Sequence, residues 1–179
     1  MDEYVDILDE EGNYTNTSLL KSEAHKQGLF HPTVHIWCYD PHGFVLLQQR
    51  GKHKKTFPSL WDVSVAGHVA AGESLELGAQ REISEEIGVS IQIQKLEKFK
   101  VFKTEHRHSA ILFDREFTHT FLYPLSQKTK LTPQASEVEA LKWFSIVDFK
   151  KMVASKDPRL VPNSENRYQE VITALKAKY

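Results

Sequence analysis

Three glutamates in one short segment could hold a metal ion: Glu82, Glu85 and Glu86 are spaced i, i+3, i+4. In a helix, at about 100° per residue, they would share a sector roughly 100° wide. Like charges at these spacings repel by about 0.2–0.5 kcal/mol per pair, and carboxylates in the last turns oppose the helix dipole. A bound Mg²⁺ or Mn²⁺ would remove both costs, because hard cations prefer oxygen ligands. The alternative from these residues alone is an acidic helix face exposed to solvent.

The segment that carries the glutamates has the signals of a helix from Ser74 to Ile87. Ser74 is a suitable N-cap, and Gly88 is suited to a left-handed C-terminal stop. Ala79, Ile83 and Ile87 lie beside the acidic sector and predict an apolar face that anchors the helix to a sheet.

Strands and helices alternate along the rest of the chain, which predicts an α/β fold with helices on both faces of a sheet. The predicted elements are a strand at 3–9, a helix at Ser18–Gln27 that stops at Gly28, a hairpin of strands 33–40 and 43–50, a basic loop at 50–59, a strand at 60–69, the Ser74–Ile87 helix, strands at Val89–Phe102, Ile111–Tyr123 and Glu139–Ser145, and helices at Ile146–Ala154 and Ser164–Lys178.

Length and composition restrict the class of protein. A chain of 179 residues with 40% hydrophobic residues fits a single compact domain. The formal net charge of −1 argues against a nucleic-acid polymer bound through a basic face. The single cysteine, Cys38, excludes an internal disulfide, and the acidic N-terminus is unlike a signal peptide. No apolar run is long enough to span a membrane, so we expect a cytoplasmic protein.

The segment from Gly67 to Val89, GHVAAGESLELGAQREISEEIGV, resembles the Nudix box without departure. Its fixed positions are Gly67, Glu73, Arg81, Glu82, Ile83, Glu85, Glu86, Gly88 and Val89. The resemblance implies a Nudix α/β/α sandwich with a mixed β-sheet, in a single domain at 1–179 with the box at 67–89 and a strand–helix extension at 1–30.

The same resemblance implies roles for the box residues. Glu82, Glu85 and Glu86 would ligate Mg²⁺ or Mn²⁺, with the backbone oxygen of Gly67 nearby. One of these three glutamates, with Glu85 and Glu86 assigned as catalytic, or a glutamate of another loop, would be the base for the attacking water. Arg81 would pair with Glu73 and orient the loop, although a plain surface salt bridge is the alternative for that pair.

Weaker similarity, over roughly residues 18–123, points to the branch that contains type I isopentenyl-diphosphate isomerase. The segments that carry it are GLFHPTVHIW, VLLQQRGKHKKTFPSLWDVSVAGH and DREFTHTFLY. Two positions depart from it: Ala66 stands where the isomerase has its catalytic cysteine, and Pro58-Ser59 replaces Pro-Gly. Because alanine cannot transfer a proton, isomerase chemistry is disfavoured, and Cys38 lies on a different predicted strand.

That branch also implies a second metal site. His25, His31 and His68 fall near its histidine ligands, and Asp114 and Glu116 fall near its acidic pair. Imidazole suits Mn²⁺ or Zn²⁺ better than Mg²⁺. The alternative is that these are ordinary surface or hydrogen-bonded histidines, since the chain has nine.

The basic loop offers Arg50, Lys52, Lys54 and Lys55 to a substrate. Cations are needed where charge builds on phosphoryl oxygens, and positions matching Arg50 and Lys55 hold substrate phosphates in the isomerase branch. We assign Arg50, Lys54, Lys55 and His68 to substrate binding, with a solvated charged loop as the alternative. The aromatic residues Phe57, Trp61 and Trp143 are expected to pack in the core, and the alternative is that they stack on a base or line an apolar pocket.

The sequence therefore predicts a metal-dependent hydrolase of a diphosphate linkage in a nucleoside diphosphate-X type or related small molecule. The alternatives are an isopentenyl-diphosphate isomerase-like enzyme and a non-catalytic diphosphate-binding module. The complete glutamate set speaks against the binding module. Dimers are common in the family, so a homodimer is a further expectation.

Overall fold

The computed structural model describes residues 2–162 and 166–179. Its elements are β1 (Tyr4–Leu8), β2 (Tyr14–Leu20), α1 (Lys21–Gln27), β3 (His31–Asp40), β4 (Phe44–Arg50), β5 (Trp61–Asp62), β6 (Val65–His68), α2 (Leu75–Ile87), a short 3₁₀ helix (Ile93–Lys95), β7 (Glu97–Arg107), β8 (Phe113–Pro124), β9 (Val138–Ser145), α3 (Ile146–Ala154) and α4 (Arg167–Lys176).

Strand β3 is the centre of a mixed sheet. One of its edges pairs in parallel with β8, and β7 extends the sheet antiparallel to β8. Its other edge is shared between two antiparallel strands, β6 over the first half of β3 and β4 at its end. Strands β5 and β9 both pair with β4. The sequence prediction of a mixed sheet is confirmed.

Helices cover both faces of this sheet. Successive side chains of β3 point to opposite sides, so β3 contributes apolar residues to both faces. Val34, Ile36 and Cys38 are fully buried in a cluster that includes Ala79, Ile83 and Ile87 of α2; we call this side the α2 face. Trp37 and Tyr39 belong to a second cluster with Phe149 of α3 and Tyr168 of α4; we call this side the α3/α4 face. The predicted α/β/α sandwich is confirmed.

The first difference from the sequence prediction is at the N-terminus. Residues 18–20, predicted as the start of a helix, belong to β2, which pairs with β1 from Tyr4↔Leu20 to Leu8↔Tyr14. Strand β2 contains Thr15, Thr17 and Ser18, and its pairing with β1 satisfies its backbone groups. The helix α1 begins at Lys21 and ends, as predicted, at Gly28 in the left-handed region.

Two other predicted strands have different bounds. The strand predicted over 60–69 is two short strands, because the chain changes partner from β4 to β3 at Ser64, whose hydroxyl donates to Leu46 O and accepts from Cys38 N–H. The strand predicted from Val89 begins only at Glu97. Val89 and Ile91 are buried, but they pack in the α2 cluster outside the sheet. The predicted start of the last helix, Ser164, lies outside the described residues.

Candidate active site

The helix α2 presents its glutamates in two different environments. Its N-cap is Ser74, whose side chain accepts a hydrogen bond from Leu77 N, and it ends at Gly88 in the left-handed conformation. The apolar side of α2 packs on the sheet, and this brings Glu82 and Glu86 down with it to 9% and 4% exposure. Glu85 points away from the sheet, with its side chain 48% exposed.

Glu86 is held between two strands by neutral donors. Its Oε2 accepts hydrogen bonds from Gln48 Nε2 at 3.0 Å and from Ala66 N at 3.2 Å. Burial, followed by the charge of Glu82, raises the pKa of Glu86 to about 8. In the metal-free protein this carboxyl group is therefore largely protonated at neutral pH.

Glu82 lies against the backbone of β6. A Cβ added at Gly67 would collide with the Glu82 carboxylate, so this close approach requires glycine. Arg81 Nη1 donates to Glu82 Oε1 at 2.8 Å. Burial outweighs the nearby arginine and raises the pKa of Glu82 to about 7. A pair of buried carboxyl groups with raised pKa values, close to an exposed third, is typical of a functional site.

Arg81 and Glu73 form the predicted pair with a two-pronged geometry. Arg81 Nε donates to Glu73 Oε1 at 3.1 Å and Nη2 donates to Oε2 at 3.0 Å. Nη2 also donates to His68 O at 2.9 Å, and Glu73 accepts from Ala70 N at 3.1 Å. Arg81 thereby ties the loop before α2 to both the helix and β6, which is more than a surface salt bridge would do.

A histidine cluster lies on the α3/α4 face. It consists of His25 of α1, His31 of β3, His68 of β6 and Glu116 of β8, and one ligand atom from each lies within 4.8 Å of the others. Strand register explains it, because His31 is aligned with Glu116 and Thr33 with His68. Thus β3, β6 and β8 direct these side chains to the same side.

Close contacts link the four groups of the histidine cluster. The Nε2 atoms of His25 and His31 are 3.2 Å apart. Glu116 Oε1 lies 4.0 Å from His31 Nε2 and 3.9 Å from His68 Nε2. His31 Nδ1 lies 3.0 Å from Leu29 O, which fixes the ring and leaves Nε2 directed at the cluster.

Burial controls protonation in the histidine cluster as well. It lowers the pKa of His31 to about 4 and that of His68 well below its usual value. Burial also raises the pKa of Glu116 to about 7, and Asp114 adds to that effect. The imidazoles are therefore neutral at pH 7, which is the form that ligates metals.

Asp114 is near the histidine cluster but is not one of its four members. Its carboxylate lies 2.9 Å from His108 Nε2 and 3.9 Å from His25 Nε2. His68, which the sequence assigned to substrate binding, is a member of the cluster.

The basic loop borders a cavity of about 430 Å³ on the α3/α4 face. Arg50, Lys54 and Lys55 line it together with Ala66 and the histidine cluster's His25, His68 and Glu116. Arg50 is ion-paired with Asp62 at 3.2 Å, and Lys54 contacts Glu137. Among the described residues that line this cavity, none is a glutamate of α2. Strand β6 separates the two regions, and Ala66 contributes to both, through its N–H to Glu86 and its side chain to the cavity.

Two residues of the site had not been singled out from the sequence. Gln48, which holds Glu86, lies on β4, and His35, which lines the cavity, lies on β3. Strand alternation signals that His35 shares a face with His31 and Thr33. No local pattern indicates Gln48, because its partner Glu86 lies 38 residues away.

Comparison with known proteins agrees with this geometry. A family model described as the NUDIX domain matches residues 29–164. Nudix hydrolase 3 of Arabidopsis thaliana is 33% identical over 170 residues, which cover 92% of this chain but only 22% of that relative's length. An isopentenyl-diphosphate Delta-isomerase of Serratia proteamaculans is 34% identical over 143 residues, or 80% of this chain and 75% of the isomerase.

Solved structures agree on the fold. The crystal structure of a Deinococcus radiodurans protein superposes with a TM-score of 0.67 at 16% identity and covers 99% of each chain. Among the described residues, no helix combines the length and apolarity needed to cross a bilayer. The Nudix-box helix, its Arg81–Glu73 clamp and the match over 29–164 lead to one conclusion: this chain belongs to the NUDIX domain family.

Proposed function

We propose that the chain hydrolyses a diphosphate linkage in a nucleoside diphosphate-X type or related small molecule, with Mg²⁺ or Mn²⁺ as cofactor. The observation that carries the proposal is the burial of Glu82 and Glu86 beside the exposed Glu85 on one helix. Desolvating two carboxylates costs several kcal/mol unless a cation or strong donors compensate. A structural role alone does not account for such a pair.

The oxygen atoms that α2 presents are suitable ligands for a divalent cation. Glu86 faces only the neutral donors Gln48 and Ala66 N–H among its described hydrogen-bond partners, and Glu82 has a single cation, Arg81. Three carboxyl groups and the backbone of Gly67 are the hard oxygen ligands that Mg²⁺ and Mn²⁺ prefer. When bound, such an ion supplies a water of lowered pKa and neutralises phosphoryl oxygens.

The residues of this chain then have distinct roles. Glu85 is exposed and can accept a proton from an approaching water, with Glu86 as the other candidate base. Arg81 holds Glu82 and Glu73 in place. The cations Arg50, Lys54 and Lys55 of the cavity bind the charged oxygens of the substrate.

We propose the histidine cluster as a second metal site. Its three neutral imidazoles and one carboxylate are a suitable ligand set for Mn²⁺ or Zn²⁺. Asp114, at the border of the cluster, orients His108 through a 2.9 Å contact and places a negative charge 3.9 Å from His25.

An isopentenyl-diphosphate isomerase-like activity is the second candidate. It is favoured by the histidine cluster and by the similarity to the Serratia isomerase. Ala66 weighs against it, because a methyl group lines the cavity where that reaction needs a proton-transferring side chain.

We further propose one Nudix domain over 1–179, with residues 1–30 as a strand–helix extension. The β1–β2 hairpin forms its own two-stranded sheet, and the family match begins at residue 29.

A product assay tests the hydrolase proposal. Diphosphates that differ in the attached group are incubated with Mg²⁺, with Mn²⁺ and with chelator, and released phosphate or nucleotide is measured. Hydrolysis that needs a divalent ion supports the proposal. Double-bond migration in isopentenyl diphosphate without hydrolysis of any diphosphate would replace it with the isomerase.

A further inference from the structure

The wall of the cavity behind the basic loop contains a cross-strand pair, His35 of β3 and Ala66 of β6. The two residues are directly aligned in the antiparallel register and both line the cavity. The small Ala66 side chain leaves the imidazole of His35 accessible from the cavity. His35 is thus placed to contact the group that is attached to the diphosphate.

His35 has unused hydrogen-bonding capacity. Its Nδ1 is buried and has no hydrogen-bond partner among the described residues. Most buried polar atoms of native proteins are paired, so an unpaired ring nitrogen in a residue that lines a cavity indicates a ligand. The ring is also neutral, since burial, Arg167 and Arg50 lower its pKa to about 3. A neutral imidazole offers one donor and one acceptor.

The surroundings of His35 are polar. Asp62 is buried in the same wall, paired with Arg50 and in contact with the Tyr168 hydroxyl at 3.4 Å. Thr104 and Arg167 also line the cavity. An alkyl chain placed here would cover these groups without replacing their solvation, which is unfavourable for every polar group left without a partner.

We propose that His35 is a specificity-determining residue that hydrogen-bonds a hydroxyl or amide on the group attached to the diphosphate, and that the cavity thereby rejects alkyl diphosphates. This inference rests on the proposed hydrolase function and narrows its substrate class to diphosphates of polar, hydroxyl-bearing groups. Sites built to bind such a group discriminate strongly against analogues that lack it.

The test compares the wild type, His35→Leu and His35→Gln on four probes, each with Mg²⁺ and with Mn²⁺. ADP-ribose and UDP-glucose carry hydroxyl-bearing groups, and isopentenyl diphosphate carries an alkenyl group. Methyl diphosphate carries only a methyl group and serves as the reference. The matched control is His42→Leu, a histidine on the β3–β4 turn whose side chain is 86% exposed. Melting temperatures show that each variant is folded, and His35→Ala replaces His35→Leu if the latter is not.

We expect the wild type to prefer the better sugar substrate over isopentenyl diphosphate by at least about 100-fold in kcat/KM. His35→Leu should lower kcat/KM for that substrate by about 10–100-fold and leave methyl diphosphate unchanged, whereas His35→Gln should lose less than about tenfold. His42→Leu should match the wild type on all probes.

Two results would overturn the inference in distinguishable ways. If the wild type hydrolyses sugar diphosphates but His35→Leu does so equally well, His35 has no role in specificity while the hydrolase function stands. If the wild type hydrolyses none of the four probes with any divalent ion, the hydrolase function fails and the inference fails with it.

Discussion

The α2 carboxyl groups and the histidine cluster lie on opposite sides of β6, and burial favours the neutral forms of Glu82 and Glu86 on one side and of the imidazoles on the other by shifting their pKa values in opposite directions. Burial raises the pKa of Glu82 and Glu86, which holds protons on these carboxyl groups. Burial lowers the pKa of His31 and His68, which keeps protons off their rings. The carboxyl groups must therefore lose protons to bind a cation, whereas the imidazoles are already in their ligating form.

We therefore expect different roles for the α2 carboxyl groups and the histidine cluster. In the proposed hydrolase, Glu82 and Glu86 release their protons when the cation binds, which links metal binding to proton transfer at the same oxygens. Neutral imidazoles on one helix and two strands form a preformed ligand set. We therefore expect the chemistry to depend mainly on α2 and the histidine cluster to contribute metal affinity and position.

The largest effect should come from Glu86→Gln. Loss of this carboxylate removes charge stabilisation in the transition state, and kcat should fall by about 10²–10⁴-fold while the fold is retained. The control is Glu76→Gln, in the first turn of the same helix, where Glu76 pairs with Lys98. Steady-state kinetics on the best diphosphate measure both variants; near-normal turnover of Glu86→Gln would remove Glu86 from the mechanism.

His31→Gln tests the other side of the comparison. Affinity for Mn²⁺ or Zn²⁺ at the histidine cluster should fall by about 10–100-fold, while Mg²⁺-supported kcat falls by less than about tenfold. Metal titration by calorimetry and steady-state kinetics measure the two quantities. His25→Gln, at a less buried ligand, repeats the test if His31→Gln is unstable. A loss of kcat as large as that of Glu86→Gln would show that the two regions act as one centre.

Divalent ions should stabilise the folded protein. An ion that binds only the native state at 100 times its Kd adds about 2.7 kcal/mol to the free energy of unfolding, or a rise of about 5–10 °C in Tm for a chain of this size. Glu82→Gln should raise the Tm of the metal-free protein slightly and reduce the metal-induced shift. Melting curves in chelator and in millimolar Mg²⁺ or Mn²⁺ measure both. Identical curves would return α2 to the alternative of a solvated acidic face.

The two regions should also shift stability with pH in opposite directions in the metal-free protein. The pKa of Glu86 rises from 4.5 to about 8 on folding, so the folded state holds a proton that the unfolded chain releases, and the free energy of unfolding decreases as pH rises through that window. The pKa of His31 falls from 6.5 to about 4, so the unfolded chain binds the extra proton and stability increases as pH rises from about 4 to 6.5.

The two slopes largely cancel between about pH 4.5 and 6.5, so a broad maximum of Tm over that range and a decline toward pH 8 are expected in chelator. Glu86→Gln should flatten the decline above that maximum, because the variant side chain does not titrate. A Tm that stays level from pH 6 to 8.5 in the wild type would show that Glu86 is ionised in the metal-free protein, contrary to its burial.

Sequence reasoning predicted the sheet, the bounds of α2 and the Arg81–Glu73 pair, since these depend on local spacing and capping. It could not separate Glu85 from Glu86, which share a helix sector, because only the docking of α2 on β6 decides which one is buried. It could not find the Gln48–Glu86 contact, which depends on strand register across 38 residues.

The histidine cluster shows a second reason for the limits of sequence. His25, His31, His68 and Glu116 lie on four elements, and only the parallel register of β3 with β8 and the antiparallel register with β6 bring them together. Strand β2 was missed for the same reason. It has no amphipathic pattern, and it forms because its backbone pairs with that of β1, which lies outside the segment itself.

The smallest effect should come from Ala66→Cys, which restores the thiol that the isomerase branch carries at this position. The substituted side chain would enter the cavity that Glu116 and the neutral His35 also line. A thiol and a carboxyl group in one cavity meet the formal need for an acid and a base. The wall around them, however, holds His35, Asp62 and Arg50, which disfavour an isoprenoid chain. We therefore expect only trace isomerisation of isopentenyl diphosphate, measured as deuterium uptake from solvent, and unchanged hydrolysis of the preferred substrate. Deuterium uptake by the unmodified protein faster than any hydrolysis would contradict this and make the chain an isomerase.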